Sequence, residues 1–298
     1  MRRRDLLIST LAAAPAAAVS VGTIADAATP SRATRKSPKA TLYVRDWGQG
    51  RPIVFLSAWG FWSEAWQYQM IPLHQQGFRC VAYDRRGHGR SNDPGGGYDY
   101  DTLADDLAQV LEQLDLRDVV LVAYSMGSGE AVRYLTRHGG SRISKVVFLA
   151  PITPFLSRTA DNPDGIDPAV FARSRAAISR DFPAALAAGF GTFIDKGCSE
   201  ELKSWAKSIM LQCSLKALID CQAAFTGTDF RAELKRVSLP TLVIQGDADR
   251  SALPSLTGER TAALLSNCRK TVYAGAPHGL VFTETERLNA DIAAFAEA

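Results

Sequence analysis

Cysteine and histidine are both scarce in this 298-residue chain, with five of the first and four of the second. The histidines stand apart at His74, His88, His138 and His278, and no two cysteines show close ligand spacing, so no metal site is expected. The irregular cysteine spacing also excludes a disulfide scaffold. Cys80, in an apolar run, reads as a small core residue. Cys198, Cys213 and Cys221 fall in one segment, where an oxidising compartment would permit one pair. An excess of charge of one sign is lacking too. The formal net charge of +3 gives no reason to expect nucleic acid or an anionic membrane as a partner. There is no glycine-rich strand-to-helix turn of the dinucleotide type, because Gly95-Gly96-Gly97 follows Asp93-Pro94 and reads as a flexible loop; no cofactor is expected. Linkers, low-complexity stretches and internal repeats are likewise missing.

The longest uncharged run lies at the amino-terminal end. Arg2-Arg3-Arg4-Asp5 leads into Leu6-Leu7-Ile8 and an alanine-rich stretch, and Ala25-Asp26-Ala27 offers a small-x-small cleavage site. Residues 1–27 are therefore expected to be an export signal resembling the twin-arginine type, which puts the mature protein in the periplasm or outside the cell. Alanine is too weakly apolar to make this run a permanent anchor, so no stable membrane insertion is expected after cleavage. Residues 28–40, rich in Ser, Thr, Pro and basic side chains, read as a disordered lead-in. Without residues 1–27 the chain keeps 31 basic against 29 acidic residues, close to neutral.

From residue 41 onward, apolar β-rich runs alternate with amphipathic helical stretches. That alternation predicts an α/β fold with a mostly parallel central sheet flanked by helices. Strands are expected near 41–47, 52–57, 79–84, 119–124, 145–150, 241–246 and 270–274, and helices near 63–76, 102–115, 127–138, 255–266 and 282–296. Leu103, Leu107, Val110, Leu111 and Leu114 form a helical stripe, which is core packing. Between Pro151 and Arg236 the alternation stops. This helix-forming stretch is rich in aromatic residues, among them Phe155, Phe171, Phe182, Phe190, Phe193, Trp205 and Phe225.

Chemistry enters at Ser125. The run Val119-Val120-Leu121-Val122-Ala123-Tyr124 ends at Ser125-Met126-Gly127-Ser128-Gly129, a buried strand that breaks at a serine and turns into a helix. Small residues at 123, 127 and 129 suit a sharp turn that projects the serine oxygen, although Ala123 stands where glycine is usual. Helix amides just behind the serine face the place where negative charge would develop. A hydroxyl needs a base and an orienting carboxylate to act as a nucleophile. His278, in Gly275-Ala276-Pro277-His278-Gly279, and Asp249, in Gly246-Asp247-Ala248-Asp249, each follow a predicted strand. Asp249 is preferred over Asp247, because the loop needs a few residues to swing back toward the histidine. Asp247 is expected to brace that loop. His88 reads as a structural loop residue, and His74 and His138 as solvated.

The chain order Ser…Asp…His, with Asp84-Arg85-Arg86-Gly87-His88-Gly89-Arg90-Ser91, Ala104-Asp105-Asp106-Leu107, Asp161-Asn162-Pro163-Asp164-Gly165, Thr228-Asp229-Phe230 and Leu288-Asn289-Ala290-Asp291, resembles the perhydrolase, aryl esterase and cofactor-free haloperoxidase branch of the α/β-hydrolases. The likeness covers residues 41–298. It implies a helical cap at about 152–236 inserted after strand six, and it puts Ser125, Asp249 and His278 on the family's catalytic positions. It also implies an oxyanion hole from the backbone N–H groups of Met126 and Trp59. The chain departs from the family where Ser57-Ala58-Trp59-Gly60 replaces the usual His-Gly-Trp-Pro. Because perhydrolytic members carry that proline, the expectation is a serine hydrolase of small or aryl carboxylic esters. A perhydrolase or haloperoxidase activity is the alternative, and an inactive exported binding protein is a third reading. The expected partner is a small-molecule ester, and the sequence specifies no oligomeric state.

Overall fold

The computed structural model describes residues 39–194 and 197–298. The expected export signal and nearly all of the lead-in lie outside the described residues. Seven strands form one sheet in the order β1-β3-β2-β4-β5-β6-β7: β1 (Val44–Trp47), β2 (Pro52–Leu56), β3 (Arg79–Tyr83), β4 (Val119–Tyr124), β5 (Ile143–Leu149), β6 (Thr241–Gly246) and β7 (Cys268–Tyr273). Only β1 runs antiparallel to its neighbour. The central strands read as unbroken apolar runs because helices cover both faces of the sheet. Ile53, Phe55, Val120 and Val122 face one half of the core, while Val54, Leu56, Leu121 and Ala123 face the other. At the sheet's free edge, β7 exposes Arg269 and Lys270, charges that discourage pairing with a further strand.

The connecting helices are α1 (Gln67–Gln75), α2 (Tyr100–Gln113), α3 (Gly127–His138), α9 (Gly258–Leu264), α10 (Leu280–Thr283) and α11 (Thr285–Glu297). Helix α2 starts two residues before the expected point, because Asp99 accepts the Thr102 amide at 3.0 Å and caps it. The expected helix 282–296 divides at Glu284, whose φ of −122° is not helical. Likewise 63–76 opens with a 3₁₀ turn at Ser63–Trp66 before α1.

Between β5 and β6 lie α4 (Pro168–Arg180), α5 (Phe182–Phe193), α6 (Glu200–Leu211), α7 (Leu215–Gly227) and the short α8 (Arg231–Leu234). Asp167, Asp181, Ser199 and Ser214 cap α4 to α7 in turn. This insertion was expected after strand six. Counted along the chain it follows the fifth, since the described residues form seven strands in all. The three cysteines of the insertion are free thiols, not a pair.

The loop after β3 is held from inside. Asp84 accepts the amides of Ser63 and Arg90 at 3.0 and 2.8 Å, and Arg86 grips Asp106 with two bonds of 2.7 Å. His88 is 1% exposed, and its Nδ1 lies 3.0 Å from the Arg86 carbonyl, which makes that nitrogen the donor. Burial first, and the neighbouring Arg85 cation second, push its pKa down from 6.5 to about 3. Between those two values the unfolded chain binds the extra proton. Stability is therefore full above pH 6.5 and falls as the pH drops toward 3. At pH 5 the loss is roughly 2 kcal/mol, taking 1.36 kcal/mol per pH unit. Urea unfolding at pH 7 and pH 5 checks this: His88→Asn, which keeps an amide donor but does not titrate, should lose about 2 kcal/mol less than the wild type over that interval. Equal losses in both proteins would refute it.

Candidate active site

Strand β4 runs straight into Ser125, whose φ of +52° reverses the chain so that α3 can begin at Gly127. Such a left-handed backbone is costly for any residue but glycine, on the order of 1–2 kcal/mol. Glycine at 127 is required by the packing behind the turn, because a Cβ there would lie 2.8 Å from the Leu56 carbonyl oxygen. At Gly129 a Cβ would lie 2.6 Å from the Tyr100 ring and 2.7 Å from Phe230. Ala123, one of the small residues before the turn, fits into the core with its side chain fully buried.

The loop after β6 carries Asp249 and the loop after β7 carries His278. The structure brings both to Ser125. His278 Nδ1 lies 2.6 Å from Asp249 Oδ2, and His278 Nε2 lies 2.9 Å from Ser125 Oγ. A carboxylate only accepts, so Nδ1 carries the proton and Nε2 is left to accept from the serine hydroxyl. Asp249 is itself fixed: Oδ1 accepts the amides of Ser251 and Ala252 at 2.8 and 2.7 Å, and Oδ2 accepts Gln245 Nε2 at 3.0 Å. Asp247 lies outside this chain of contacts and braces the neighbouring loop by accepting the Gly275 amide at 2.6 Å. Ser125, His278 and Asp249 are 6%, 5% and 2% exposed, so the relay is shielded from bulk water.

Two residues not singled out in the sequence keep this arrangement in place. Tyr124 donates its hydroxyl to the His278 carbonyl at 2.9 Å, and its ring packs 5.4 Å from the imidazole. Gln245 was legible as an anomaly, a polar side chain at the end of the buried run Leu242-Val243-Ile244. Tyr124 gave no such signal, since a tyrosine closing an apolar strand is ordinary core.

The second half of the site is the loop after β2. Leu56 pairs with Ala123 across the sheet, so this loop leaves its strand level with the serine turn. Among the described residues, neither the Trp59 nor the Met126 backbone N–H donates to a protein acceptor. The Trp59 indole is tied to the insertion by a 2.8 Å bond from Nε1 to the Leu218 carbonyl, with Phe182 edge-on at 6.2 Å. Ser57, standing where histidine is usual, accepts Trp66 Nε1 at 3.0 Å through its hydroxyl and Arg85 Nη2 at 2.8 Å through its carbonyl. Gly60 has φ +75°, a conformation closed to proline, and its carbonyl receives the Cys213 thiol at 3.2 Å. The loop is therefore built differently from one carrying proline, yet it is firmly held. Of the insertion's aromatics, Phe182 and Phe193 reach the site; Phe193 lies 5.6 Å from the His278 ring, and the amide of Gly279 donates to its carbonyl at 2.8 Å. Trp205 packs instead on Tyr68 and Phe282.

This geometry suits nucleophilic attack by a hydroxyl on a carbonyl, with two amides available for the oxyanion. No group of His, Cys, Asp and Glu side chains fit for a metal occurs among the described residues. Nor is any described helix long and apolar enough to cross a membrane.

The sequence pattern of a family described as alpha/beta hydrolase fold matches residues 51–285. A non-heme chloroperoxidase of Kitasatospora aureofaciens is 37% identical over 265 residues, covering 85% of this chain and 95% of its own. A bifunctional esterase/perhydrolase of Acinetobacter calcoaceticus is 34% identical over 263 residues, covering 85% and 95%. Among solved structures, a bromoperoxidase from Bacillus anthracis superposes with a TM-score of 0.83 at 36% identity, covering 86% of this chain and 95% of that one.

Proposed function

Because this chain belongs to the alpha/beta hydrolase fold family, in its haloperoxidase and perhydrolase branch, we propose that it is a serine esterase acting on small or aryl carboxylic esters. The observation that carries the proposal is the unbroken relay from Ser125 Oγ through His278 to Asp249, at 2.9 and 2.6 Å. In this mechanism Ser125 attacks the ester carbonyl while His278 Nε2 takes its proton. The carbonyl oxygen, now anionic, receives the N–H groups of Met126 and Trp59. His278 then protonates the departing alkoxide, leaving an acyl group on Ser125. Water, activated by the same imidazole, releases the acid and restores the serine. Asp249 holds the imidazole in the required tautomer throughout. The left-handed Ser125 at the end of β4, with its hydroxyl on His278 Nε2, supports an enzyme over an inactive binding protein.

The substrate class follows from the surroundings. Phe193, edge-on to the His278 ring, and Trp59, with Phe182 against it, supply flat apolar surface beside the relay, which favours compact acyl or aryl groups over long polar ones. Perhydrolysis is the second reading, supported by the Acinetobacter relative's name. It uses the same acyl-enzyme, with hydrogen peroxide in place of water. Gly60, in a conformation closed to proline, weighs against it as the main activity. A panel of aryl and alkyl esters of graded acyl length, run beside peracid formation from acetate and hydrogen peroxide, tests the assignment. Hydrolysis should be fastest with short acyl and aryl esters and should exceed peracid formation. Peracid formation as the faster reaction would reverse the order of the two readings, and failure to hydrolyse any ester would end the first.

A further inference from the structure

Arg85 takes no part in the chemistry derived above, yet its side chain is 3% exposed and that of its ion-pair partner Glu130 is 1% exposed. Burying such a pair is seldom a net gain in stability, so its presence asks for another role. Arg85 Nε and Nη2 reach Glu130 Oε2 at 3.1 and 2.9 Å, and the same Nη2 donates to the Ser57 carbonyl at 2.8 Å. Glu130 lies in the first turn of α3, the helix that opens beside Met126. Its other oxygen accepts the Tyr83 hydroxyl. Ser57 stands two residues before Trp59 in the loop after β2. One guanidinium therefore joins the loop that carries the Trp59 amide to the helix that follows the Met126 amide. On the helix side, Tyr100 adds a bond of 3.1 Å from its hydroxyl to the Met126 carbonyl.

The geometry points to Arg85, clamped by Glu130, as a positioning residue that fixes the Trp59 and Met126 amides relative to each other; this rests on the esterase mechanism proposed above. Donors aimed at a developing oxyanion work only if they are placed before the charge appears. A bond to Ser57 from a residue locked onto α3 does that placing. The two arginines of Arg85-Arg86 then divide their work: Arg86 anchors the loop to α2 through Asp106, and Arg85 serves the oxyanion hole.

The test is the pair replacement Arg85→Met with Glu130→Gln, which removes both charges and leaves the Tyr83 hydroxyl an acceptor. Active sites are counted with a fluorophosphonate that labels Ser125, so that misfolded protein is not scored. The kcat per titrated site should fall roughly 100-fold with KM nearly unchanged, the pattern of a misplaced transition-state contact. A kcat per site equal to wild type would overturn the inference and leave the pair a purely structural feature. Should the double variant fail to fold, Arg85→Lys keeps a cation opposite Glu130 and replaces the forked donor by one nitrogen. The same fall in kcat is expected there, and wild-type kcat in that folded variant would again overturn it. Failure of the esterase mechanism itself looks different: the wild-type protein would neither label at Ser125 nor turn over esters.

Discussion

Replacing Ser125 by alanine is expected to lower kcat by on the order of 10⁶-fold, with the fold intact. Among the described residues Ser125 Oγ has one partner, His278 Nε2 at 2.9 Å, so its loss orphans no buried donor and leaves the rest of the relay standing. A companion variant separates chemistry from strain. Ser125 holds φ +52°, which alanine tolerates poorly and glycine readily. Ser125→Gly should be as inactive as Ser125→Ala but more stable than it by about 1 kcal/mol. Steady-state hydrolysis of an aryl ester gives the first comparison and thermal unfolding the second. Residual turnover near the wild-type level in either variant would mean that another nucleophile does the work.

The second large effect is expected of Asp249→Asn, a loss of roughly 10⁴-fold in kcat at neutral pH. Asp249 Oδ1 accepts two backbone amides, from Ser251 and Ala252, and an asparagine would keep its carbonyl oxygen there. Its NH₂ group would then occupy the place of Oδ2 and point at His278 Nδ1 and Gln245 Nε2. A donor facing Nδ1 turns that nitrogen into the acceptor and moves the imidazole proton to Nε2, where it faces Ser125 Oγ. The base is then in the wrong tautomer, although nothing has moved. Gln245 relieves the opposed donors by turning its amide over, because its Oε1 has no partner among the described residues, so the destabilisation should stay below about 1 kcal/mol. Kinetics beside a urea melt distinguishes the two. A loss below tenfold would mean that the carboxylate contributes little to catalysis.

Much of this was legible in the residues. Strands buried on both faces must be apolar throughout, so β2, β4 and β6 announced themselves as short runs bounded by turns, within a residue or so of their ends. The ends of helices were less clear, because caps such as Asp99 and breaks such as Glu284 depend on single contacts. Ser125 was visible because a sharp strand-to-helix turn restricts the residues around it to small ones. The preference for Asp249 over Asp247 followed from the reach of a loop alone. The supporting shell was mostly hidden: Arg85, Glu130 and Tyr124 belong to types that serve equally well in any buried network.

The sequence by itself determined the order of strands and helices, since each depends on local pattern within a dozen residues, and it put the serine, carboxylate and imidazole proposed for catalysis in their order along the chain. Only the tertiary structure decided that Ser125 and His278, 153 residues apart, share a hydrogen bond, that Ser57 holds its loop through Arg85, and that Gly60 adopts a conformation no proline can take. Hydrogen bonds between distant buried groups depend on how two elements pack to within a few tenths of an ångström, and that distance is a property of the folded whole.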